Sequence, residues 1–446
     1  MLSSVRTSLA PRLKGVARAA LDRPWAFSVI DVPNRVAFAA GRQSRRLRLS
    51  RTRGAVTERV IVVAPPGGGN IGDQALVESA IWNAGGPVAL VVRASSDFQL
   101  PDWVQARDVE VIVLPNLVYG VGPRHLRDLI ELGKRVDGAS RMLLVGADIM
   151  DGNYNLVASM NRWSVANAFG RSSGSSTVLG FSWSDAARPS CVKAAQVASA
   201  SCRLWLRDPV SLSRIASVGL RGEPTLCADI VFAHPAPSLP PSVRELPADL
   251  RQFIANNPEY VVLNMSGLVG GDDRLIDHYV RVVERLRADG ISLILLPHVV
   301  RSTKSDNVYL KDLAARFDDR RIILVNELLT PSQVFEVCRG GLVVLTGRMH
   351  LAVLASLSGT PSSTLSTQGK VAGLYEHLRS PEGAIEVDSD VSGMFFARLE
   401  QVVNRTEGID TELRRYLKEL AMRSFDSPQF RPETSEPVHS LQERAS

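Results

Sequence analysis

The amino-acid sequence predicts an α/β protein with two consecutive Rossmann-like domains that follow a basic N-terminal extension. From residue 58 onward, short apolar runs alternate with helix-length segments; a proline-rich stretch interrupts this alternation, which then restarts. Runs such as 59–66 and 141–148 have the length and the flanking turn residues of strands that are buried on both faces. Such strands, separated by helices, form parallel sheets that helices cover.

Residues 1–57 form the extension, and they contain twelve Arg or Lys residues against two acidic ones, a net charge of +10. Because the whole chain carries +6, the remaining residues carry −4, which argues against a nucleic-acid-binding surface on the folded body. Leu2, Val5, Leu9 and Leu13 recur at helical spacing with basic residues between them, a pattern that suits an anionic membrane surface. A poorly ordered tail is the alternative.

The remaining chain divides at its proline-rich stretch. Residues 58–233 make the first domain, and residues 234–250 form the linker, because four prolines between positions 235 and 241 cannot continue a helix or a central strand. Residues 251–405 repeat the alternation as the second domain, and residues 406–446 are predicted to be a closing helix with a polar tail. Ligands of such sheets bind at the carboxyl ends of the strands, here in the cleft between the domains.

The cysteines and the absence of long apolar runs bear on metal binding and location. Cys191, Cys202, Cys227 and Cys338 form no CxxC pair and have no histidine at metal-ligand spacing, so we expect no metal and a reducing compartment. No apolar run approaches about 18 residues, and the N-terminus lacks the apolar core of a secretory signal. These features predict a cytoplasmic enzyme, with residues 1–57 as the segment that would touch the inner face of a membrane.

A glycine-rich segment, residues 65–81, lies between a predicted strand and a predicted helix. Gly69 and Gly72 permit positive φ and close approach by a ligand, and Asn70 or Asp73 can cap the helix. The segment is neither GxGxxG nor a P-loop, because no Walker lysine follows. A tight turn with a capping residue is the alternative to a ligand-binding loop.

Two further polar residues stand where predicted strands end. Arg207 ends a strand of the first domain and is expected to point toward the cleft; the alternative is a surface ion pair with Asp208. His298 ends a strand of the second domain, where a catalytic or phosphate-contacting side chain would stand. The alternative is a structural histidine whose hydrogen bonds are satisfied by the protein.

Residues 341–361 give the strongest functional signal. A strand, a short turn and a nearly all-apolar helix follow one another, with Arg348 and His350 at the helix start. Burying a cation without a partner is costly, and a bound anion would resolve it, since a helix N-terminus also presents free N–H groups. Arg348 offers a planar fork for a carboxylate or phosphate, and His350 offers an imidazole for proton transfer. Alternatively, Arg348 pairs with an internal acid and His350 merely caps the helix.

Taken in order, these segments resemble the polysaccharide pyruvyltransferase family. The family opens with G-N-x-G-D-x-A-L, carries R-D-x-x-S followed by D-x-x-F, and ends with R-x-H, a buried small-residue helix, G-x-P and a lysine. The resemblance covers roughly residues 60–380 and departs after the fourth strand, where the family often has G-G-G and this chain has Gly146, Ala147 and Asp148. The matching residues are Gly69, Asn70, Gly72, Asp73, Ala75, Leu76, Arg207, Asp208, Ser211, Asp229, Phe232, Arg348, His350, Gly359, Pro361 and Lys370.

The resemblance implies a two-domain fold similar to that of the GT-B glycosyltransferases. It also implies phosphoenolpyruvate as co-substrate, no cofactor, and a pyruvate ketal as product on a cell-envelope or exported polysaccharide or its lipid-linked precursor. The resemblance assigns donor binding to Arg348, Arg207 and Lys370. It assigns catalysis first to His350, then to His298, and also to Asp73. The acceptor or its loop would involve Gly69, Asn70, Gly72 and Asp148.

Two other functions stay open at the level of sequence. A GT-B-type glycosyltransferase would use a nucleotide sugar and ignore phosphoenolpyruvate. A non-catalytic member of the family would only bind a saccharide, although the presence of both Arg348 and His350 argues against that function.

Overall fold

The computed structural model describes residues 19–49, 59–136, 138–172, 174–267, 272–366, 370–405 and 409–426. Two separate sheets, each formed by parallel strands, make up two α/β domains, which confirms the predicted fold class. In the first sheet the strand order is β3-β2-β1-β4-β5-β6-β7. The strands are β1 (Val60–Val63), β2 (Val88–Val92), β3 (Val109–Val113), β4 (Arg141–Ala147), β5 (Ser175–Phe181), β6 (Cys202–Leu206) and β7 (Thr225–Leu226).

The second sheet has the order β10-β9-β8-β11-β12-β13 and therefore repeats the arrangement of the first. In both, the strand order reverses beside the first strand, and ligand sites form at this point in doubly wound sheets. The strands are β8 (Tyr260–Leu263), β9 (Ser292–Leu295), β10 (Ile322–Leu324), β11 (Val344–Thr346), β12 (Ser362–Ser366) and β13 (Ala384–Glu386).

Helices connect the strands and cover the sheets. Those of the first domain are α1 (Pro24–Leu49), α2 (Ile71–Trp82), α3 (Asp102–Gln105), α4 (Gly122–Arg135), α5 (Leu156–Ser172), α6 (Pro189–Ala198) and α7 (Pro209–Ala216). Those that follow are α8 (Ala248–Asn256), α9 (Asp273–Ala288), α10 (Asp306–Ala314), α11 (Pro331–Arg339), α12 (Met349–Ser358), α13 (Lys370–His377), α14 (Val391–Arg405) and α15 (Thr411–Met422). In the described ranges no helix combines the length and apolarity needed to cross a bilayer.

The first strand of each sheet is buried on both faces, as its unbroken apolar sequence predicts. Val60 and Val62 of β1 belong to the same apolar cluster as Val262 of β8, whereas Ile61 and Val63 face a separate cluster within the first domain. The two domains therefore share one continuous core, which holds their facing edges in a defined position.

Helix α1 departs from the expectation for residues 1–57. It packs along α4 and also contacts α5 and α6, and its Phe27 and Phe38 are completely buried. A side-chain nitrogen of Arg42 donates a hydrogen bond to the carbonyl oxygen of Ser172 at the end of α5. This part of the extension is thus built into the first domain and is not a loose tail. The predicted amphipathic segment near the N-terminus lies outside the described residues.

The predicted linker and the predicted C-terminal helix both pack against the domains. The proline-rich stretch forms short 3-10 turns, and Ala236 within it is fully buried. Helix α15 packs on the 3-10 turn Ile230–Ala233 of the first domain, and Arg203 of β6 donates a hydrogen bond to the carbonyl oxygen of Asp426 (3.0 Å). After completing the second domain, the chain therefore returns to the first.

Candidate active site

A cleft of about 200 Å³ lies between the carboxyl ends of the two sheets. Its volume is below the range of roughly 300–1,000 Å³ found for drug-sized ligands, so it suits a small molecule. It gathers most of the side chains that the sequence singled out, from both domains: Asn70, Asp73, Asp148, Arg207, His298, Arg348 and His350.

The glycine-rich loop enters the cleft directly after β1. Gly67, Gly68 and Gly69 have φ angles of 63°, 64° and 69°, a conformation that favours glycine. Asn70 caps α2, and its Oδ1 accepts a hydrogen bond from the backbone nitrogen of Gly72 (3.0 Å). The capping residue is therefore Asn70, which leaves the carboxyl group of the other predicted cap available to the cleft.

Hydrogen bonds join this loop to the second domain. The backbone nitrogen of Val300 donates to the carbonyl oxygen of Gly69 (2.8 Å), and that of Ile71 donates to the carbonyl oxygen of His298 (3.1 Å). The Arg301 guanidinium donates to two further carbonyl oxygens of the loop, each at 2.7 Å. We call residues 67–71 together with residues 298–301 the interdomain clasp.

Asp73 is buried near the start of α2 and lines the cleft. Its Oδ2 accepts a hydrogen bond from the backbone nitrogen of Gly67 (3.2 Å) and lies 3.5 Å from Nη2 of Arg301. Burial raises the pKa of Asp73, and the neighbouring His350 and Arg301 offset this effect only in part. A carboxyl group with a raised pKa is suited to proton exchange with a ligand.

Arg207 is only 3% exposed, directly follows β6 and lines the cleft. Its Nε donates to Oγ of Ser182 (2.7 Å) and its Nη1 to Oδ2 of Asp229 (3.0 Å). Its Nη2 is buried and has no hydrogen-bond partner among the described residues. An anionic ligand would satisfy this nitrogen. The predicted alternative, a surface pair with Asp208, does not form, because Asp208 caps α7.

Asp229 links this arginine to the imidazole of the second domain. Nε2 of His350 lies 3.4 Å from Oδ2 of Asp229. Burial opposes the charge on Asp229, but His350 and Arg207 outweigh it and lower the pKa of Asp229 to about 2. Asp229 is therefore ionised at neutral pH. A carboxylate in this position orients an imidazole and stabilises the ring when it carries a proton.

Arg348 has the internal acidic partner that the sequence left open as an alternative. Its Nη2 lies 2.6 Å and its Nε 3.2 Å from Oδ1 of Asp306. Asp306 is fully buried, which opposes ionisation, but Arg348 and hydrogen bonds from Gly267 and Asn264 lower its pKa. Nη1 of Arg348 has no acceptor within the described ranges, and the residue lines the cleft. One edge of the guanidinium is thus held in place while the other is available to a ligand.

His298 is fully buried, yet neither ring nitrogen has a hydrogen-bond partner among the residues that the structure describes. The predicted alternative of a satisfied structural histidine is therefore not what the structure shows. Burial lowers the pKa of His298 to about 3; Asp306 opposes this shift, while His350 and Arg348 add to it. The ring is neutral at pH 7 and is suited to hydrogen bonding with a ligand, not to acting as a cationic acid.

A second pocket, of about 510 Å³, adjoins the cleft on the side of the first domain. Asp148 and Tyr154 line both spaces, and Oη of Tyr154 donates to Oδ2 of Asp148 (3.1 Å). Ala147, which stands where the resemblance would place glycine, adopts a φ of 46°, a left-handed conformation that favours glycine. Asp148 follows it and places a carboxylate at the border of the two spaces. We call this space the acceptor-side pocket; its wall also includes Asp151, Asn153, Trp183, Ser184 and Asp185.

Three residues of the site were not singled out from the sequence: Asp306, Arg301 and Tyr154. The position of Asp306 at the start of α10 gave a signal, because an acid in a first helical turn faces other groups at the same sheet edge. Lys370 begins α13, and its side chain lies outside the described part of the chain, so its predicted role stays a prediction. Within the same part, no group of three or more metal-ligating side chains occurs.

Two Rossmann-like domains that face each other across a ligand-sized cleft define a protein of the GT-B type, here with arginines and histidines from both domains in the cleft. The chain belongs to the polysaccharide pyruvyl transferase family, whose model matches residues 70–369. This match includes residues 70–71 and 298–301 of the interdomain clasp and the whole set of cleft residues named above. A comparison with curated protein sequences finds no match.

Solved structures of low sequence identity share the fold. The UDP-GlcNAc 2-epimerase of Methanocaldococcus jannaschii has a TM-score of 0.56 at 11% identity, over 82% of this chain and 98% of that one. Staphylococcus aureus MnaA, solved with UDP, has a TM-score of 0.52 at 11% identity, over 82% and 94%. Anabaena Alr3699/HepE, solved with UDP and glucose, has a TM-score of 0.51 at 14% identity, over 83% and 96%. These likenesses confirm the GT-B-type fold.

Proposed function

We propose that this protein transfers the pyruvyl group of phosphoenolpyruvate to two hydroxyl groups of a saccharide, forming a pyruvate ketal and releasing inorganic phosphate. The saccharide is a cell-envelope or exported polysaccharide or its lipid-linked precursor. The observation that carries the proposal is the unpaired, buried Nη2 of Arg207, which lies with Arg348, His298 and His350 in one small cleft. Membership of the pyruvyl transferase family supports the identity of the transferred group.

The donor carries a carboxylate and a phosphate, so it needs two separate cationic contacts. Arg207 contributes Nη2 from the first domain, and Arg348 contributes Nη1 from the second. Their partners, Asp229 and Asp306, each occupy another part of the guanidinium and fix its orientation. Preorganised donors of this kind stabilise phosphate charge without a metal ion. Lys370, at the start of α13, is assigned to the same donor as a third cation.

The reaction begins with proton transfer to carbon. His350 protonates the methylene carbon of phosphoenolpyruvate, which becomes the methyl group, and the central carbon gains oxocarbenium character. One sugar hydroxyl attacks this carbon and gives up its proton. The carbon–oxygen bond to phosphate then breaks, and a second hydroxyl attacks. The two hydroxyl protons account for the proton added to carbon and the proton on the released hydrogen phosphate, so the step is balanced.

Asp73 and neutral His298 interact with the hydroxyl groups of the acceptor saccharide. Burial raises the pKa of Asp73 toward the range in which a carboxyl exchanges protons with a hydroxyl, and both side chains line the cleft. The acceptor-side pocket adjoins them, and Asp148 and Tyr154 on its border offer an anionic acceptor and an aromatic ring to a sugar. The saccharide therefore enters from the first domain, and the donor lies between the arginines.

The test is a donor assay with purified protein. Phosphate release from phosphoenolpyruvate is measured with and without a panel of glycosides and lipid-linked sugars. The masses of the products are determined by mass spectrometry. We expect phosphate release only with a suitable acceptor, together with the mass of a pyruvate ketal on that acceptor. Turnover of a nucleotide sugar in place of phosphoenolpyruvate would establish the glycosyltransferase instead. Saccharide binding with no turnover of either donor would establish a non-catalytic protein.

The packing of Gly72 against His350 gives a prediction for this assay. A Cβ added at Gly72 would lie 2.7 Å from Cγ of the His350 ring, so only glycine lets the imidazole lie against α2. We expect Gly72→Ala to displace the ring and to lower kcat/KM by about 10²-fold, the usual cost of a misplacement of about 1 Å. Gly86→Ala is the matched control, because its Cβ would meet nothing within 4 Å. Equal loss in both variants would contradict this role of Gly72.

A further inference from the structure

The outward side of helix α1 is apolar along most of its length. Trp25, Val29, Val32 and Val36 are 58%, 63%, 51% and 65% exposed, and their spacing places them in one row along the helix. We call these four residues, together with the exposed residues that lie between them, the α1 apolar face. The other exposed residues from position 25 to position 40 are all uncharged: Ser28, Pro33, Ala39 and Ala40.

The opposite side of the same helix is buried against the first domain. It packs against α4, α5 and α6 through buried side chains that include Phe27 and Phe38. An amphipathic surface helix normally turns charged residues toward water, so a second apolar side is not explained by the packing of the domain. A contiguous exposed apolar row is the mark of an interaction surface.

The positive charge of the N-terminal segment indicates which kind of partner the α1 apolar face binds. Exposed Arg23 precedes the face, and the segment 45–53 contains five arginines and no acid. Residues 1–57 as a whole carry +10, whereas the rest of the chain carries −4. Two copies that met through this helix would bring two segments of +10 together, and these would repel. An anionic lipid surface attracts basic residues and also accepts an apolar helix side, as in helices that lie in the membrane interface.

The N-terminal end of the face lies beside the acceptor-side pocket. Asp22, three residues before Trp25, is paired with Arg188 (3.3 Å). The backbone nitrogen of Arg188 donates to the carbonyl oxygen of Asp151 (2.9 Å), and Asp151 lines the pocket. A lipid surface that covered the α1 apolar face would therefore end at the rim of this pocket.

We propose that the α1 apolar face docks the protein peripherally on an anionic lipid bilayer. The four large apolar side chains enter the headgroup region, and exposed Arg23 beside them binds a lipid phosphate. The docking does not depend on the enzymatic activity. A second consequence does rest on the proposed function: the acceptor-side pocket then meets a saccharide that is carried by a lipid in the same bilayer.

The experiment is vesicle flotation with the full-length protein. Vesicles of phosphatidylcholine alone are compared with vesicles of equal parts phosphatidylcholine and phosphatidylglycerol, at low and high salt. We expect binding to the anionic vesicles, little binding to the neutral ones, and weaker binding in high salt. Binding that ignores lipid charge would overturn the proposal, as would no binding to either vesicle.

A double variant tests the face itself. Val29→Gln with Val32→Gln is expected to lower the vesicle partition coefficient about tenfold or more, because two apolar side chains no longer enter the interface. Val403→Gln on α14 is the matched control, since Val403 is also about half exposed (51%) and should leave partition unchanged. Turnover of a water-soluble acceptor should be the same in all three proteins, which separates loss of docking from loss of activity.

Three results would reject the bilayer, and the first two would also identify another occupant. A wild-type dimer in analytical ultracentrifugation that the double variant converts to monomer would assign the face to a second copy. A lower melting temperature of the double variant with unchanged vesicle binding would assign it to another part of this chain. Equal flotation of the double variant and the wild type at unchanged melting temperature would show that the face contacts no lipid.

Discussion

Replacing His350 with alanine is expected to lower kcat for phosphoenolpyruvate-dependent phosphate release by about 10²- to 10⁴-fold, the usual range for the loss of a general acid or base. The ring lies at the start of α12, in contact with Gly72, and Nε2 is 3.4 Å from the Asp229 carboxylate. Because the role proposed for His350 is proton transfer, its loss should lower kcat more than it weakens donor binding. The KM for phosphoenolpyruvate should change little.

The pH dependence of stability follows from Asp229. Burial opposes its ionisation, but His350 and Arg207 outweigh burial and lower the pKa of Asp229 to about 2. Its ion pairs therefore stabilise the fold above the usual aspartate pKa, and this stabilisation is lost as the pH falls toward 2, which thermal unfolding across that range would measure.

His278→Ala is the matched control for the histidine, because His278 lies on α9 beside Ser392 and outside the cleft. It should keep the wild-type kcat. A His350→Ala enzyme that keeps kcat and raises only the KM would assign His350 to binding and would contradict a role in proton transfer.

Replacing Arg207 with lysine is expected to lower kcat/KM for phosphoenolpyruvate by about 30- to 10³-fold, or about 2–4 kcal/mol, the range for loss of a buried hydrogen-bonded charge contact. Lysine keeps a positive charge opposite Asp229, but its single nitrogen cannot replace Nε on Ser182, Nη1 on Asp229 and the unpaired Nη2, which occupy three separate positions. Because the proposed contact already forms when the donor binds, most of the effect should appear in the KM.

Arg203→Lys is the matched control on the same strand. Arg203 donates to Ser175 and to the carbonyl oxygen of Asp426, and it does not line the cleft. Its replacement is expected to lower stability slightly and to leave the KM for phosphoenolpyruvate unchanged. An equal rise of the KM in both variants would mean that Arg207 acts through the stability of the sheet and not through the ligand.

The composition of the cleft could largely be predicted because both sheets consist of parallel strands. Their carboxyl ends meet at one edge of a sheet, so Arg207, His298, Arg348 and His350, which all follow apolar runs, could be placed in one cleft from the sequence. The placement is what the structure shows. The donor and catalytic roles within the cleft rest on family resemblance and stay predictions.

The features that could not be predicted are contacts between residues that lie far apart in the sequence. Asp306 lies 42 positions before Arg348, and its place in a first helical turn does not show which residue it pairs with until the fold brings the two together. Helix α1 escaped prediction for a different reason. Its apolar residues divide between a packed side and an exposed side, so they give no single amphipathic pattern.

The interdomain clasp has a kinetic consequence. Its two backbone hydrogen bonds, between Val300 and Gly69 and between Ile71 and His298, must break before the domains can separate at the cleft. These bonds, the hydrogen bonds of Arg301 and the apolar core that the two domains share all disfavour the separated form. A ketal product held on both sides of the clasp would then leave at the rate of this opening, so weakening the clasp should speed turnover wherever product departure is the slowest step.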